Sequence, residues 1–434
     1  MALIARDLTE KFHRKGLGDE YGPELVIGVF NEQTEEFHGG FAGDNSSLCV
    51  QDGGARVWNG GIREVTNEAW LKKQPCGALA SLHEYLARPM TLKHHWCYPR
   101  NEKVPFTRPG GGKAMWFVGS YRNREELIRD WTIAMSEFTF LLDRKKRTLL
   151  GDAFIGGADS GTNEKDLELI CKVSGNRRCV TGGPGYIQYE TIGATGLILL
   201  HAAKTAIEYL RELDPLRNHP WGDDLSISIS GFGQVGRGVV QHLLDPEYHG
   251  PRIAVVSNKS TPEGEAIRNP CGIDPRLLLE AGSNSGGGIL SLVDGKRTKR
   301  IDLGLELYEL ANILILAATK EPVIDEKNAR RVWAPIVLSG TNSGITEEAY
   351  RILHERGIIA PLDSTVNIGA ASMAWASHNG LSDGECVALA KRAVEINLRW
   401  LLTESRLRGI RVDELARQET DSRLEPLSRY RNHS

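Results

Sequence analysis

Residues 225–244 read LSISISGFGQVGRGVVQHLL, and the architecture of the second half of the chain turns on them. A β-prone run, Leu225–Ser230, enters Gly231-Phe232-Gly233-Gln234-Val235-Gly236 and leaves as a helix-forming segment. That is the strand, turn and helix context a dinucleotide-binding fingerprint requires. Gly231 permits a tight turn, Gly233 lets the backbone approach a pyrophosphate, and Gly236 lets the helix pack closely on the strand. The free amides of the helix start, at Gln234 and Val235, and its positive end then receive the phosphates. The alternative is a glycine-rich turn that holds no ligand.

Outward from that turn, Ile253–Ser257, Ile313–Ala317, Ile336–Ser339 and Ile358–Ala360 are strand candidates separated mostly by helical patterns. Such alternation predicts parallel strands joined by crossover helices. Ile313-Leu314-Ile315-Leu316 is the continuous apolar run expected of a strand covered on both faces. Dinucleotide sites usually place an acidic residue after the second strand, against the adenosine ribose. Here the chain reads Ser257-Asn258-Lys259: no carboxylate repels a 2′-phosphate and Lys259 is a candidate contact for one, so NADP is at least as plausible a cofactor as NAD; a solvated Lys259 is the alternative. The segment Ala281–Leu292, AGSNSGGGILSL, reads as a mobile loop.

Upstream the pattern is more mixed. Short β-prone runs at Leu25–Phe30, Glu36–Phe41 and Ser47–Val50 are followed by helical spacing from Cys76 to Ala87. A glycine-rich loop at Gly110, an apolar run from Met115 to Val118 and a helix from Arg124 to Leu142 complete this part. At 434 residues the chain exceeds an ordinary single domain, so two cores are expected. The net charge of −3 provides no field for nucleic acid or an anionic membrane, and no apolar stretch is long enough to span a bilayer. The opening lacks the apolar core of a signal peptide, and a cytoplasmic protein is expected. Seven scattered cysteines without a CxxC pair indicate neither a disulfide framework nor a metal site.

Several blocks carry candidate chemistry. Met90-Thr91-Leu92-Lys93 is followed by Gly110-Gly111-Gly112-Lys113 and by Ala158-Asp159-Ser160-Gly161-Thr162. The three glycines leave room for a small ligand beside the Lys113 amine, with Gly111 as a candidate contact; a solvated surface loop is the alternative. With the dinucleotide turn, and with Thr191–Leu197 (TIGATGL), Asn269–Asp274 (NPCGID), Thr341–Gly344 (TNSG), His354–Ile358 (HERGI) and Val366–Gly369 (VNIG), these blocks resemble the glutamate, leucine, phenylalanine and valine dehydrogenase family in order and approximate spacing, from about Leu25 to Gly380. The resemblance implies an α/β fold: an N-terminal α/β substrate and oligomerisation domain (1–190), a Rossmann-type dinucleotide-binding domain (191–375), a cleft between them, and a helical C-terminal segment (376–434) returning to the first domain. A homo-oligomer is implied as well.

By the same resemblance, Lys93 matches the lysine that clamps the substrate α-carboxylate, Lys113 the catalytic lysine, and Asp159 the aspartate that relays protons to and from the substrate nitrogen. Thr195, Asn342 and Asn367 match positions around the nicotinamide and its ribose, with Ala318 and Thr319 as further cofactor candidates. The implied reaction is NAD(P)-dependent oxidative deamination of an L-amino acid to a 2-oxo acid and ammonia. Glutamate-specific members hold the side-chain carboxylate with a lysine and a serine where this chain has Asn59 and Ala374, and burying a second carboxylate without a cation is costly. Ala371 and Ala374 beside Asn59 suggest a roomier pocket for a large, aromatic or branched side chain. The rivals are a hydroxy-acid dehydrogenase using His94 or His95 as base, and an inactive nucleotide-binding homologue.

Overall fold

The computed structural model describes residues 2–19, 22–44, 57–65, 75–106, 108–117, 123–136, 153–159, 161–183, 185–215, 220–258, 265–283, 288–301, 311–318 and 323–424. The candidates Lys259 and Thr319, and the run Ser47–Val50, lie outside them. Among the described residues no helix is long and apolar enough to cross a membrane.

The first half builds a six-stranded sheet from β1 (Leu3–Asp7), β2 (Leu25–Asn31), β3 (Phe37–Gly43), β4 (Val57–Glu64), β5 (Gly110–Trp116) and β6 (Ala153–Ala158). Its order is β1-β2-β3-β5-β4-β6. The first strands pair antiparallel, whereas β4 runs parallel to both β5 and β6, so β4 lies between the strands that carry Lys113 and lead to Asp159. Helices cover both faces. On one side Leu127, Trp131 and Met135 of the helix Arg124–Ser136 pack on Trp116, whose ring meets Trp131 edge-on at 5.4 Å. On the other side Leu79 and Leu82 of the helix Pro75–Leu82 pack on Val26, Ala42 and Met115. Apolar residues alternate to the two faces, as the two-residue period of a strand requires.

The glycines Gly110–Gly112, expected in a loop, are strand β5. A Cβ on Gly112 would meet Cβ of Trp58 at 2.8 Å and the ring of Phe41 at 2.9 Å, so two large core side chains occupy the space a side chain would need. The helix expected from Cys76 to Ala87 runs from Pro75 to Leu82, continues as a single π-helical turn, His83–Ala87, and then as the helix Arg88–Trp96. The predicted helix from Arg124 is described to Ser136.

The second sheet comprises β7 (Ser226–Ser230), β8 (Arg252–Asn258), β9 (Glu265–Ile273), β10 (Lys299–Ile301), β11 (Ile313–Leu316) and β12 (Ile336–Ser339), in the order β10-β9-β8-β7-β11-β12. β8, β7, β11 and β12 are mutually parallel, as the alternating pattern predicted. Ile313–Leu316 is buried throughout. β9 and β10 form an antiparallel edge that the pattern did not reveal. Pro270 interrupts that run, and it falls where the register to β8 shifts, the kind of irregularity that accommodates a proline in a sheet. Ile358–Ala360 is not a strand; Ile359 makes only an isolated bridge to Ile336. Within the segment read as a mobile loop, Ala281–Ser283 end the helix Pro275–Ser283 and Gly288–Leu292 form a 3-10 turn.

Three glycines of the dinucleotide turn have three different surroundings. Gly231 has φ 101° and packs its bare Cα against the Ala317–Ala318 backbone, a Cβ there falling 2.7 Å from the Ala318 amide nitrogen. Gly233 faces open space, with nothing within 4 Å of an added Cβ. Gly236 lies under the strand, where a Cβ would be 2.1 Å from the Gly231 carbonyl oxygen. The helix Gln234–His242 can therefore approach β7 only because Gly236 has no side chain. The long helix Ala194–Leu213 abuts the same helix, and a Cβ on Gly196 would be 2.3 Å from the Val239 nitrogen.

The C-terminal helices Asp383–Arg408 and Val412–Asp421 touch both halves. Arg399 pairs with Glu208 and Glu212 of the helix Ala194–Leu213. The amide of Asn397 donates to the carbonyls of Trp96 and Tyr98, and the Trp96 indole donates to Thr420. Gly236→Ala should lower the free energy of unfolding by about 1–3 kcal/mol, because the contact is with backbone that cannot rotate away. Urea denaturation measures this, and wild-type stability would contradict the close packing of helix on strand.

Candidate active site

The side chains singled out in the first half converge through strand order. β4 carries Gly60-Gly61 between β5 and β6, so it presents no side chain where its neighbours reach across. A Cβ on Gly61 would be 2.8 Å from Nζ of Lys113 and 2.6 Å from Cβ of Asp159. Over this bare stretch Lys113 on β5 donates to Oδ2 of Asp159, just beyond β6, at 2.6 Å. The side chains are 7% and 18% exposed, so the pair lies largely out of solvent.

The turn holding Asp159 is tied down at several points. Its amide donates to Oγ1 of Thr162 at 2.8 Å, and that hydroxyl donates to the carbonyl of Ile62 on β4 at 2.7 Å. Asn163 then opens the helix Glu164–Ser174 with a reciprocal capping box to Asp166. Arg124 bridges Glu64, Asp166 and the carbonyl of Gly161, joining the end of β4 to this turn.

Lys93 enters from the helix Arg88–Trp96 and reaches Oδ1 of Asn342 at 3.4 Å, a contact between the two halves. Burial, with the charge of Lys113 second, lowers its ammonium to about 8. Asn342 belongs to the turn after β12, where Ser343 adopts φ 60° and its amide donates to Oδ2 of Asp363 at 2.5 Å. Asp363 also accepts from the amide of Ser364, while burial pushes its carboxyl above the ordinary range. The amide of Asn367 donates to Oδ1 of Asn342 at 3.4 Å, and its own Oδ1 is buried with no partner among the described residues.

One cavity of about 510 Å³ gathers Asn59, Lys93, Lys113, Asp159, Thr195, Asn342, Asn367, Ala371 and Ala374 on its walls. That volume suits a small ligand. Asn59 donates one amide N–H to the carbonyl of Ile155 at 2.8 Å, which leaves its second N–H and its oxygen as handles. Gly111 is not on the wall, against expectation. A Cβ there would be 2.2 Å from the Thr91 nitrogen and 2.5 Å from the Ala87 carbonyl oxygen, so the residue admits the helix bearing Lys93 rather than a ligand. The dinucleotide turn Gly231–Gly236, Asn258 at the end of β8 and Ala318 beyond β11 form a separate strip outside this cavity. There the side chain of Glu190 hydrogen-bonds Gln234, and Val235 packs beneath Gly340. Gly233 opens to free space on this strip, which fits backbone approach by a dinucleotide.

His94 and His95 lie off the cavity. His94 contacts the Asn59 carbonyl at 3.2 Å, and burial holds both rings near 3, so they are neutral. Residues without a sequence expectation also line the cavity, among them Gly61, Arg63, Tyr85, Leu86, Thr181 and Tyr189. The first two were within reach of a two-residue period, which places Asn59, Gly61 and Arg63 on one face of a strand. Tyr85 and Leu86 arrive through the π-helical turn, which no spacing in the sequence announces.

A parallel dinucleotide-type sheet facing a second α/β unit across a cleft is the fold of the two-domain amino acid dehydrogenases. It aligns with the hetero-hexameric glutamate dehydrogenase of Thermus thermophilus, leucine-bound, at TM-score 0.63 and 20% identity, covering 97% of this chain and 88% of that one. L-tryptophan dehydrogenase of Nostoc punctiforme aligns at TM-score 0.58 and 17% identity, over 95% and 98% of the two chains. Residues 185–379 match the Glutamate/Leucine/Phenylalanine/Valine dehydrogenase model, the family that the sequence blocks resemble. In sequence it is 26% identical to glutamate dehydrogenase of Aeropyrum pernix over 184 residues, 41% of each chain, so the match spans about two-fifths of that relative's length. Other relatives are named NADP-specific or NAD-specific glutamate dehydrogenases.

The lowered Lys93 ammonium makes carboxylate binding pH-dependent: the cation is present below about 8 and lost above it. Affinity for a small carboxylate such as acetate should fall roughly tenfold between about pH 7 and pH 9. An NMR titration at the two pH values measures it, and equal affinity would remove Lys93 as the anion clamp.

Proposed function

We propose that the chain is an NAD(P)-dependent L-amino-acid dehydrogenase, converting an L-amino acid, NAD(P)⁺ and water to a 2-oxo acid, ammonium, NAD(P)H and a proton. The observation that carries this reading is the convergence of Lys93, Lys113 and Asp159 from three separate elements onto one cavity that Thr195, Asn342 and Asn367 also line. The division into a substrate domain (1–190), a dinucleotide domain (191–375) and a returning C-terminal segment (376–434) belongs to the same proposal. So do a cytoplasmic setting and assembly with like copies.

Lys93 binds the α-carboxylate as a fixed cation. A nicotinamide dinucleotide, when bound, would supply the hydride acceptor for Cα. Gly231, Gly233 and Gly236, with the helix start at Gln234 and Val235, would hold the pyrophosphate, and the unpartnered Oδ1 of Asn367 is an acceptor suited to the carboxamide. Lys113 takes a proton from the water that attacks the iminium carbon, and Asp159 moves protons at the substrate nitrogen so that it departs as ammonia. Because β8 ends in the amide Asn258 rather than a carboxylate, a 2′-phosphate is tolerated, and NADP and NAD are both candidates.

The side chain of the substrate is neutral in this reading. Asn59 offers no positive charge, Ala371 and Ala374 leave space, and the lining cation Arg63 is paired to Asp159. A large, aromatic or branched side chain fits better than glutamate. A hydroxy-acid dehydrogenase finds no histidine base among the described residues of the cavity wall, and an inactive homologue would have no need of all three charged groups.

A screen of L-amino acids with both cofactors, run beside Lys113→Ala, tests the proposal. Turnover should appear with neutral amino acids and fall at least about 10²-fold in the variant, which still binds cofactor. Best activity on glutamate overturns the side-chain argument, and full turnover by Lys113→Ala overturns the mechanism.

A further inference from the structure

Each carboxylate oxygen of Asp159 meets a cation. Nζ of Lys113 lies 2.6 Å from Oδ2, and Nη2 of Arg63 lies 3.2 Å from Oδ1. Arg63 reaches there because β4 places it two residues beyond Gly61 on the same face, and its side chain is 30% exposed on the cavity rim. Its Nε is buried without a partner among the described residues.

The two cations are not equivalent. A lysine that moves protons loses its charge for part of each cycle, whereas a guanidinium keeps its charge throughout. When Lys113 becomes neutral, the charge opposite Oδ2 is lost and the proton affinity of the Asp159 carboxylate rises. Arg63 removes that coupling. By engaging Oδ1 it also limits rotation of the carboxyl group, so that Oδ2 stays toward Lys113.

We propose that Arg63 is a positioning residue that acts through Asp159: it orients the carboxylate and is its permanent counter-charge, keeping it ionised and ready to accept a proton from the substrate nitrogen while Lys113 changes charge. This rests on the dehydrogenase reading above. It goes beyond it in giving Arg63 a task separable from substrate contact.

The test compares Arg63→Gln and Arg63→Lys with the wild type, with Arg63→Met replacing the glutamine variant should that not fold. Removing a positive charge at this distance raises the proton affinity of a carboxylate, so the acid limb of kcat/KM for deamination should move up by about one pH unit in Arg63→Gln. Arg63→Lys should return it close to the wild-type position, and cofactor affinity should be unchanged in both. A purely structural role would lower activity without moving the limb. An unmoved limb, or one moved equally by glutamine and lysine, overturns the proposal.

A second readout needs no turnover. The carboxyl ¹³C shift of Asp159, assigned with Asp159→Asn, should titrate about one pH unit higher in Arg63→Gln than in the wild type, and the same midpoint in both overturns the inference. Failure of the wild type to deaminate any amino acid would count against the dehydrogenase reading alone, since the titration judges Arg63 independently.

Discussion

Where Lys113 and Asp159 meet over Gly61, two opposite charges are drawn largely out of water, and much of the first sheet is arranged around that contact. Desolvating the two ions costs several kcal/mol, which their attraction offsets only when geometry is good and the remaining lone pairs are satisfied. The surroundings supply both conditions. Glycines on β4 let the side chains approach, the Thr162 hydroxyl holds the Asp159 amide, and Arg63 takes the second carboxylate oxygen. A buried pair of this kind is a poor source of stability but a good means of fixing two reactive groups in one geometry.

The framework behind the pair is built from hydrogen bonds rather than from apolar packing alone. The capping box at Asn163 and Asp166 sets the direction in which the chain leaves Asp159, and Arg124 fastens that turn to Glu64 at the end of β4. Displacing any of these would shift Asp159 relative to Lys113, and the tolerance is small because the bond between them is 2.6 Å. On the opposite side of the sheet the aromatic contacts among Phe41, Trp58 and Phe154 fill the space under the glycines, so the strands cannot sag into it.

Two halves share the cleft, and their relation is held at its edges. Lys93 contacts Asn342 across it, while Asn397 and Thr420 of the C-terminal helices bind the segment that follows Lys93. The guanidinium of Arg100 lies 3.2 Å from the centroid of the Trp400 ring, another tie between these segments. Gly193, at φ 69°, begins the helix Ala194–Leu213 and rests directly against Gly238 of the dinucleotide helix.

The sequence by itself determined the periodic features. The dinucleotide turn, the parallel strands around it and the blocks bearing Lys93, Lys113 and Asp159 were legible because local residue order dictates strand, turn and helix. What it could not convey was adjacency between distant strands. That β4 lies between β5 and β6, so that Gly61 becomes the floor of the site and Arg63 its second cation, is a property of sheet order. The same holds for Gly111, whose missing side chain serves an approaching helix, and for Tyr85, carried to the cavity by a π-helical turn. The antiparallel edge β9–β10 was hidden because its pattern is broken by Pro270 and its pairing comes from neighbours in space. Backbone preferences and apolar period act over a few residues, and they set the elements; charge pairing, desolvation and close packing act between elements, and only the folded arrangement of those elements decided which groups share a cavity.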